Sequence, residues 1–540
     1  MYDKRPRFVW WLLLFLVISV SSTAKTEYVY RVYLTDKSHS IYTLDCPTDY
    51  LSKAAMDRRI KYGIPIDSTD LPVSAYYLDS IKNAFPDATI SYTSKWMNTV
   101  LVRTNKPSHD LFTSLSFVKA QKLVYKSESM LPESTPDELS ATVTQNLSEE
   151  SANEYGEALA QIEMLNGLPL HEAGYRGEGV KIALLDAGFM NVDKMEAFAH
   201  MTVADTYNYY SSLRGVFGTH SHGTSCLSAI AAWLPGTIIG TAPEAEYHLY
   251  ITEDASKESP IEEDYWICAA ERADSIGVDM LCASLGYTSF DDYMLYDRLD
   301  STMLDGKTAY ISKGMGMAAD KGILVIVSAG NEGESNWKHI TFPSDVENVV
   351  TVGAVDENGL PTSFSGRGSE ANASIKPDFV ALGHNAAVLD DGGKPVRLNG
   401  TSFSTPIVAG LFACMKQAFP LLSNNDLCSL LRRNASMSAS PDREMGYGLP
   451  DFGAAFRNTT YRVEEQSLPM WKITCADEAI YLSHFLKPCE VALYSMDGKI
   501  LYKADSVSDT LTISLKNYQK GLYLLVINDG TDDFRYKLIL

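Results

Sequence analysis

The stretch KIALLDAG, residues 181–188, sets the architecture: a mostly apolar run from Lys181 to Leu185 leads into Asp186, and Ala187-Gly188 then turns the chain. An apolar run without strict alternation is what a strand covered on both faces of a sheet requires. Similar runs recur outward from it at Tyr247–Ile251, Met280–Ala283 and Gly322–Val327, separated by helical stretches. That alternation predicts an α/β domain over residues 155–458, built on a mainly parallel sheet flanked by helices. In such a sheet Asp186 emerges at the carboxyl edge, where ligands bind.

The flanks read differently. Residues 25–128 show strand-like segments at Tyr28–Leu34 and Thr99–Val102 with a helix over Leu51–Tyr62, an α+β pattern. Residues 129–154, SMLPESTPDELSATVTQNLSEESANE, are rich in Ser, Thr, Pro and acids and read as an exposed linker open to proteolysis. Residues 459–540 carry short period-two segments, Val491–Tyr494, Leu511–Leu515 and Leu522–Ile527, with a turn at Asp497-Gly498, which predicts a small all-β sandwich. At the start, Lys4, Arg5 and Arg7 precede an apolar run from Phe8 to Val20 and the small residues Ser21 to Ala24. That order predicts a signal peptide, residues 1–24, cut after Ala24. The run is shorter than the ~18 residues a spanning helix needs, so the mature form is expected to have no transmembrane segment.

Composition narrows the function classes. The 540 residues are 45% hydrophobic and 21% charged, an ordinary globular balance. A net charge of −22 argues against a nucleic-acid partner. Residues 25–128 hold 14 basic and 11 acidic residues, or +3, and residues 1–24 hold 3 and 1, or +2, so the remainder carries −27. A basic front block and an acidic body are expected to attract. The eight cysteines show no CxxC spacing, so neither a zinc site nor a disulfide scaffold is indicated, and Cys414, Cys428, Cys475 and Cys489 are read as thiols rather than bridges.

Four segments carry reactive side chains. Asp186 stands at a strand end, where an Asp is often only a helix cap. In HSHGTSCLSAIAAW, residues 220–233, His222 precedes Gly223-Thr224 and a helix of small residues that can approach the sheet, with His220 as the rival base. In LNGTSFSTPIVAG, residues 398–410, Gly400 allows a tight turn, Ser402 starts a helix and Pro406 is placed in its opening turn. A nucleophile at that position faces its oxyanion with the helix dipole and its own N–H. In ILVIVSAGNEG, residues 323–333, a buried strand ends in Ala329-Gly330-Asn331, and the Asn331 amide supplies a second donor.

The order Asp186, His222, Asn331, Ser402, with gaps of 36, 109 and 71 residues, resembles the subtilisin-like serine proteases over Gly174–Gly448. The resemblance implies a subtilisin-like parallel sheet, Ser402 as nucleophile, His222 as general base and then acid, Asp186 as its orienter and Asn331 as oxyanion donor. It also implies Ser284-Leu285-Gly286 as the strand edge that binds extended peptides and Ser328-Ala329-Gly330 as a wall of the S1 pocket. The acidic set Glu253, Asp254, Glu262, Glu263 and Asp264 is read as solvated surface rather than as a preference for basic substrate side chains. Ala187 replaces the Ser or Thr usual after the catalytic Asp. The AAWLPGTIIGT segment before Ala242 lacks the Asn-rich insertion by which many relatives bind calcium, so no metal ligand is assigned, calcium is left open, and the chemistry needs no cofactor.

LSKAAMDRRIKYGIPIDSTDLPVS and SKWMNTVLV, within residues 25–128, resemble the propeptide of subtilases of Bacteroidetes type, which implies an intramolecular inhibitor and chaperone. VALYSMDGKILYKADSVSDTLTISLKNYQKGLYLLVIND and the closing FRYKLIL resemble a type IX secretion sorting domain, which implies secretion machinery as a partner. The whole implies a serine endopeptidase made as a zymogen, acting on protein and peptide substrates, secreted or at the surface of a Gram-negative bacterium. Two other classes stand beside it: a catalytically silent surface or binding protein on the same fold, and a serine esterase. The first has no need of all four residues, and the second would show GxSxG, where Ser404 occupies the place of the second glycine.

Overall fold

The computed structural model describes residues 26–127 and 154–466, apart from 212–213, 293 and 421, together with most strand residues between 472 and 539. The signal-like segment 1–24, residues 129–153 and the turns at Asp497-Gly498 and Lys520-Gly521 lie outside the described residues. The chain divides into two compact units, Met1–Gly453 and Ala454–Leu540.

The first unit begins with β1 (Glu27–Leu34), α1 (Lys53–Tyr62), α2 (Ala75–Ala84), β2 (Thr89–Ser94), β3 (Thr99–Thr104) and β4 (Val118–Ser127). The strands form an antiparallel sheet in the order β2-β3-β1-β4. Period two sorts its faces. Tyr30, Val32, Val100 and Val102 pack with Tyr77, Ile81 and Phe112 into a core of their own. Val29, Leu101 and Val124 point the other way and join the core of the following domain, so the two share one interior.

That domain contains α3 (Leu159–Met164), α4 (Leu168–Glu172), β5 (Lys181–Asp186), β6 (Thr202–Asn208), α5 (His222–Ala231), the short hairpin β7–β8 (Trp233–Leu234 and Ile238–Ile239), β9 (Glu246–Ile251), α6 (Ile261–Ile276), β10 (Met280–Ala283), α7 (Tyr310–Asp320) and β11 (Leu324–Ser328). After them come β12 (Val350–Val355), β13 (Phe379–Leu382), the hairpin β14–β15 (Ala386–Leu389 and Pro395–Leu398), α8 (Thr401–Ala418) and α9 (Asn424–Arg433). Seven strands form one sheet in the order β13-β12-β11-β10-β5-β9-β6, with every neighbouring pair parallel. The carboxyl ends of β5, β10 and β11 therefore open on one edge, and α5 and α8 start beside it.

The sequence boundary at 458/459 falls inside α10 (Phe452–Gln466). In the second unit, β16 (Lys472–Ala476), β17 (Ala479–Ser483) and β20 (Thr510–Ser514) form one antiparallel sheet. A second contains β18 (Cys489–Ser495), β19 (Ile500–Val507), β21 (Leu522–Asn528) and β22 (Asp533–Ile539). Ile480, Leu482 and Ile513 from one sheet and Val491, Leu493, Leu525 and Ile527 from the other share a core, so the sandwich forms as the alternation implied. Cys414 and Cys428 are free buried thiols.

Candidate active site

Asp186 is the last residue of β5 and is buried. His222 opens α5, and its Nδ1 lies 2.8 Å from Asp186 Oδ1. The approach depends on Gly223, where a Cβ would meet Gly188 O at 2.4 Å and Asp186 Cβ at 2.8 Å. Asp186 Oδ1 also accepts the Ala187 N–H at 2.8 Å, so the backbone supplies a donor beside the missing hydroxyl. With Nδ1–H directed at a carboxylate, Nε2 is the lone-pair nitrogen of the neutral ring. Burial opposes a charge on His222, but the Asp186 carboxylate outweighs it and holds the imidazole well above its ordinary range. His220, the rival base, accepts the His222 N–H on its Nδ1 at 3.2 Å and so braces the loop.

Ser402 is the second residue of α8, after Gly400 at φ 152° and ψ 148°, a conformation open essentially to glycine alone. Pro406 lies one turn deeper than the sequence reading placed it. Lacking an N–H, it gives the Ser402 carbonyl no intrahelical donor. That carbonyl instead accepts from Ser284 Oγ at 2.8 Å and Cys226 Sγ at 3.4 Å. Cys226 Sγ is also 3.9 Å from His222 Nε2, so one thiol touches both the imidazole and the serine backbone. Ser402 Oγ itself donates to Ser284 O at 3.2 Å. A direct bond to His222 is not formed among the described residues; such bonds often tighten only when substrate binds.

Asn331 follows β11. Its Oδ1 accepts from Thr401 N at 2.9 Å and Thr401 Oγ1 at 3.0 Å. Both partners consume the oxygen end, so the network assigns the other end as the donor Nδ2. A Cβ on Gly400 would lie 3.6 Å from that nitrogen, which therefore borders the turn before Ser402.

Ser284-Leu285-Gly286 continues β10 without a ladder partner among the described residues, until Tyr287 pairs with Phe342. An unpaired edge of this kind can accept an extended chain as a further strand. Ser328, Ala329 and Gly330 lie across from it, with Ser328 Oγ 3.5 Å from Leu285 O. A Cβ on Gly286 or Gly330 would meet Thr341 at 2.1 or 2.3 Å, which keeps both positions bare. All ten residues expected from the sequence thus gather at one edge of the sheet. Thr401 and Cys226 were missed. Cys226 was signalled by its helical i+4 spacing from His222, whereas Thr401 acts through a residue 70 positions away.

The acidic set corrects an expectation. Glu253, Glu262, Glu263 and Asp264 are buried and Asp254 is half-buried, not solvated; the N-terminal sheet covers Glu263 and Asp264 on α6, while Glu253 and Glu262 turn inward to Tyr287 and to the Ser259 N–H. Arg31, on the same face of β1 as Val29, contacts Asp264 at 2.6 Å and Glu263 at 3.1 Å and donates to Pro260 O at 2.9 Å. Glu271 accepts from Ser94 Oγ at 2.5 Å, Lys95 N at 2.9 Å and Trp96 N at 3.0 Å. Carboxylate oxygens of Glu253, Glu258 and Glu262 lie within 4.8 Å of one another and are of a kind that can ligate a cation. Burial and then the Glu258 charge raise Glu253 to about 8, and loss of solvent around its carboxyl with the nearby Asp291 raises Glu258 to about 7, so near neutral pH the group tends to hold protons. No helix among the described residues is long and apolar enough to cross a membrane.

The model of the subtilase family matches residues 177–448, half of the chain. The chain belongs to the subtilase family. As a subtilase it is a serine endopeptidase, and two further family models flank that match. The Peptidase S8 propeptide domain of Bacteroidota covers residues 29–139, and the secretion system C-terminal sorting domain covers residues 476–540. The sorting domain indicates export to a secreted or surface location. Subtilisin BL of Lederbergia lenta is 28% identical over 288 residues, 53% of this chain and 94% of its own. The minor extracellular protease Epr of Bacillus subtilis is 27% identical over 300 residues, 55% of this chain but 41% of its own. Among solved structures, MycP1 from Mycobacterium smegmatis aligns with a TM-score of 0.45 at 19% identity, covering 58% of this subtilase and 88% of that chain.

Proposed function

We propose that this subtilase is an exported zymogen that hydrolyses peptide bonds in proteins and peptides, with Ser402 as nucleophile, His222 as general base and then acid, and Asp186 as the group that orients His222. Asn331 Nδ2 and the Ser402 N–H are the oxyanion donors. The observation that carries this reading is the 2.8 Å bond from His222 Nδ1 to buried Asp186, at the sheet edge where α8 begins with Ser402.

A substrate strand lies along Ser284–Gly286, with its P1 side chain beside Ser328–Gly330. Ser402 Oγ adds to the scissile carbonyl carbon as its proton passes to His222 Nε2. The Asp186 carboxylate stabilises the imidazolium, and the oxyanion meets Asn331 and the helix N-terminus. Collapse expels the amine, which takes the proton from His222 and leaves an acyl-Ser402. Water, deprotonated by His222, then attacks the ester and regenerates the serine.

In the same reading residues 1–24 are a signal peptide, 25–128 the inhibitory prodomain, 129–154 the linker where it is cut, 155–458 the peptidase domain and 459–540 a domain read by secretion machinery. The test is labelling by a fluorophosphonate probe, comparing the chain without residues 1–24 with its Ser402→Ala variant. Labelling and prodomain cleavage in the parent alone are expected. A folded, processed parent that takes no label would overturn the reading in favour of a silent binding protein.

A further inference from the structure

Between β1 and α2 the N-terminal chain leaves its sheet as an arm, residues 35–74, that carries α1 to the far side of the peptidase domain. It reaches the C-terminal ends of α6 and α7. These ends lead into the amino ends of β10 and β11, so the arm sits on the edge of the sheet opposite Asp186, Asn331 and Ser402. α1 itself is well specified: Ser52 caps it by accepting the Ala55 N–H, and Gly63 ends it in the left-handed conformation.

Two arginines of α1 enter this surface, and both are buried. Arg58 bonds the Asp274 carboxylate at 2.5 Å and donates to the carbonyls of Asp274 at 3.1 Å, Lys321 at 3.3 Å and Val278. Arg59 reaches the Lys321 carbonyl at 2.6 Å and the Asp274 carboxylate at 3.0 Å, and its own arm's Asp70 at 2.8 Å. Asp70 in turn accepts from Lys321 Nζ at 2.8 Å. Helix C-termini present unpaired carbonyls and partial negative charge, which the planar donor fork of a guanidinium suits. The surface is also shaped for the arm: a Cβ on Gly277, which ends α6, would meet Ala54 Cβ at 2.4 Å, and one on Gly322, just past α7, would meet Ile64 Cδ1 at 2.8 Å. The cation partners of the Asp274 carboxylate, Arg58, Arg59 and Lys95, all belong to the N-terminal block.

We infer that the peptidase domain carries, away from its cleft, a binding site for a pair of guanidinium groups, and that the 35–74 arm uses it as a second latch that retains the prodomain after the linker is cut. The inference rests on residues 25–128 acting as a prodomain, but not on Ser402 being a nucleophile. The first latch is the sheet face with Arg31 and the Glu271 contacts. The second is separate from it except through Lys95, so the prodomain leaves only when both have opened.

The test uses the full chain carrying Ser402→Ala, so no step depends on its own activity. Glutamyl endopeptidase nicks the Glu-rich 129–154 stretch, mass spectrometry verifies the cut, and size-exclusion chromatography follows escape of the prodomain after dilution. Slow release from the Ser402→Ala chain is expected, with release at least tenfold faster when Arg59→Gln or Asp274→Asn is added. Lys53→Gln, on α1 with its side chain 88% exposed, should leave the rate unchanged. Equal rates in all chains, including no release from any, overturn the latch. Should the substituted chains not fold, hydrogen exchange of the nicked Ser402→Ala chain decides: amides of residues 275–280 and 320–324 should lose protection when the prodomain is stripped, and unchanged protection overturns the proposal.

Discussion

Asn331→Ala tests the oxyanion site most directly. In the proposed mechanism the oxyanion has two donors, Asn331 Nδ2 and the Ser402 N–H, and the substitution removes one while leaving the Asp186–His222 contact in place. In subtilisin, a member of this family, loss of one such donor lowers kcat by about 10²–10³-fold, or ~2.7–4 kcal/mol of barrier. The same loss is expected here, in kcat rather than KM, because the donor meets charge that exists only in the transition state. The network supplies an internal scale. Asn331 Oδ1 is held by Thr401 N at 2.9 Å and Thr401 Oγ1 at 3.0 Å, so Thr401→Val removes one of two restraints. A net hydrogen bond is worth ~0.5–1.5 kcal/mol, which predicts only a ~2- to 12-fold fall for Thr401→Val. Steady-state kinetics on a peptide substrate, with prodomain-free enzyme and melting temperatures measured in parallel, reads both. A loss below threefold in Asn331→Ala, or a loss confined to KM, refutes the donor assignment. Equal losses in the two variants refute the claim that the backbone alone can orient the amide.

His222 acts as a base only when neutral, and Asp186 holds it protonated above its ordinary value of 6.5. Activity should therefore fall as pH drops through a midpoint above 6.5, and Asp186→Asn should lower both that midpoint and, by about 10⁴-fold as in related triads, the plateau. A parental midpoint at or below 6.5 in the kcat/KM profile would count against the pair. Burial, then the charges of Glu258 and Asp186, raise Glu253 to about 8, while Tyr287 donates to it at 2.6 Å. A carboxyl raised on folding adds stability below its unfolded value and loses it as pH rises through the folded value. Glu253→Gln, which mimics the protonated acid, should raise the melting temperature at pH 9 and change it little at pH 4; an equal change at both would show that its titration is not linked to folding.

The parts of the fold legible in the sequence were those with a local cause. KIALL, YHLYI, MLCA and GILVIV are apolar because their strands are covered on both sides, and they became β5, β9, β10 and β11. β6 went unread because it is an edge strand whose residues, TVADTYN, alternate between half-buried and exposed. Asp186, His222 and Ser402 were legible because a strand end and two helix starts each leave a mark within a few residues. Asn331 stands out by the same logic. Its restraint by Thr401 does not, since that contact depends on how β11 and α8 pack. Pro406 shows the limit within one helix: its effect is on the carbonyl four residues back, and only the packing shows Ser284 and Cys226 serving that carbonyl.

Glu263 and Asp264 of α6 were misread for a more general reason. IEEDYWICAAERADSI places Glu263, Asp264, Glu271 and Asp274 among apolar residues, the pattern of a helix with one face in water. Isolated carboxylates are rarely buried, so the pattern by itself favours solvent. What removes these acids from water is Arg31, Arg58, Arg59 and Lys95, which lie 179 to 233 residues earlier in the pairings they make with Asp264 and Asp274. No local periodicity couples segments that far apart, but the charge totals do: +3 in residues 25–128 against −27 in the residues that follow. Burying a charge is tolerable only when its partner is buried with it, and removing one partner of such a pair costs ~3–5 kcal/mol. The helix pattern therefore suits a peptidase domain whose acids meet water, and the arginines suit the zymogen, in which those acids are paired. Under the proposed maturation the chain passes from one state to the other and carries both signals, and the buried arginines of its first domain are where the two can be told apart.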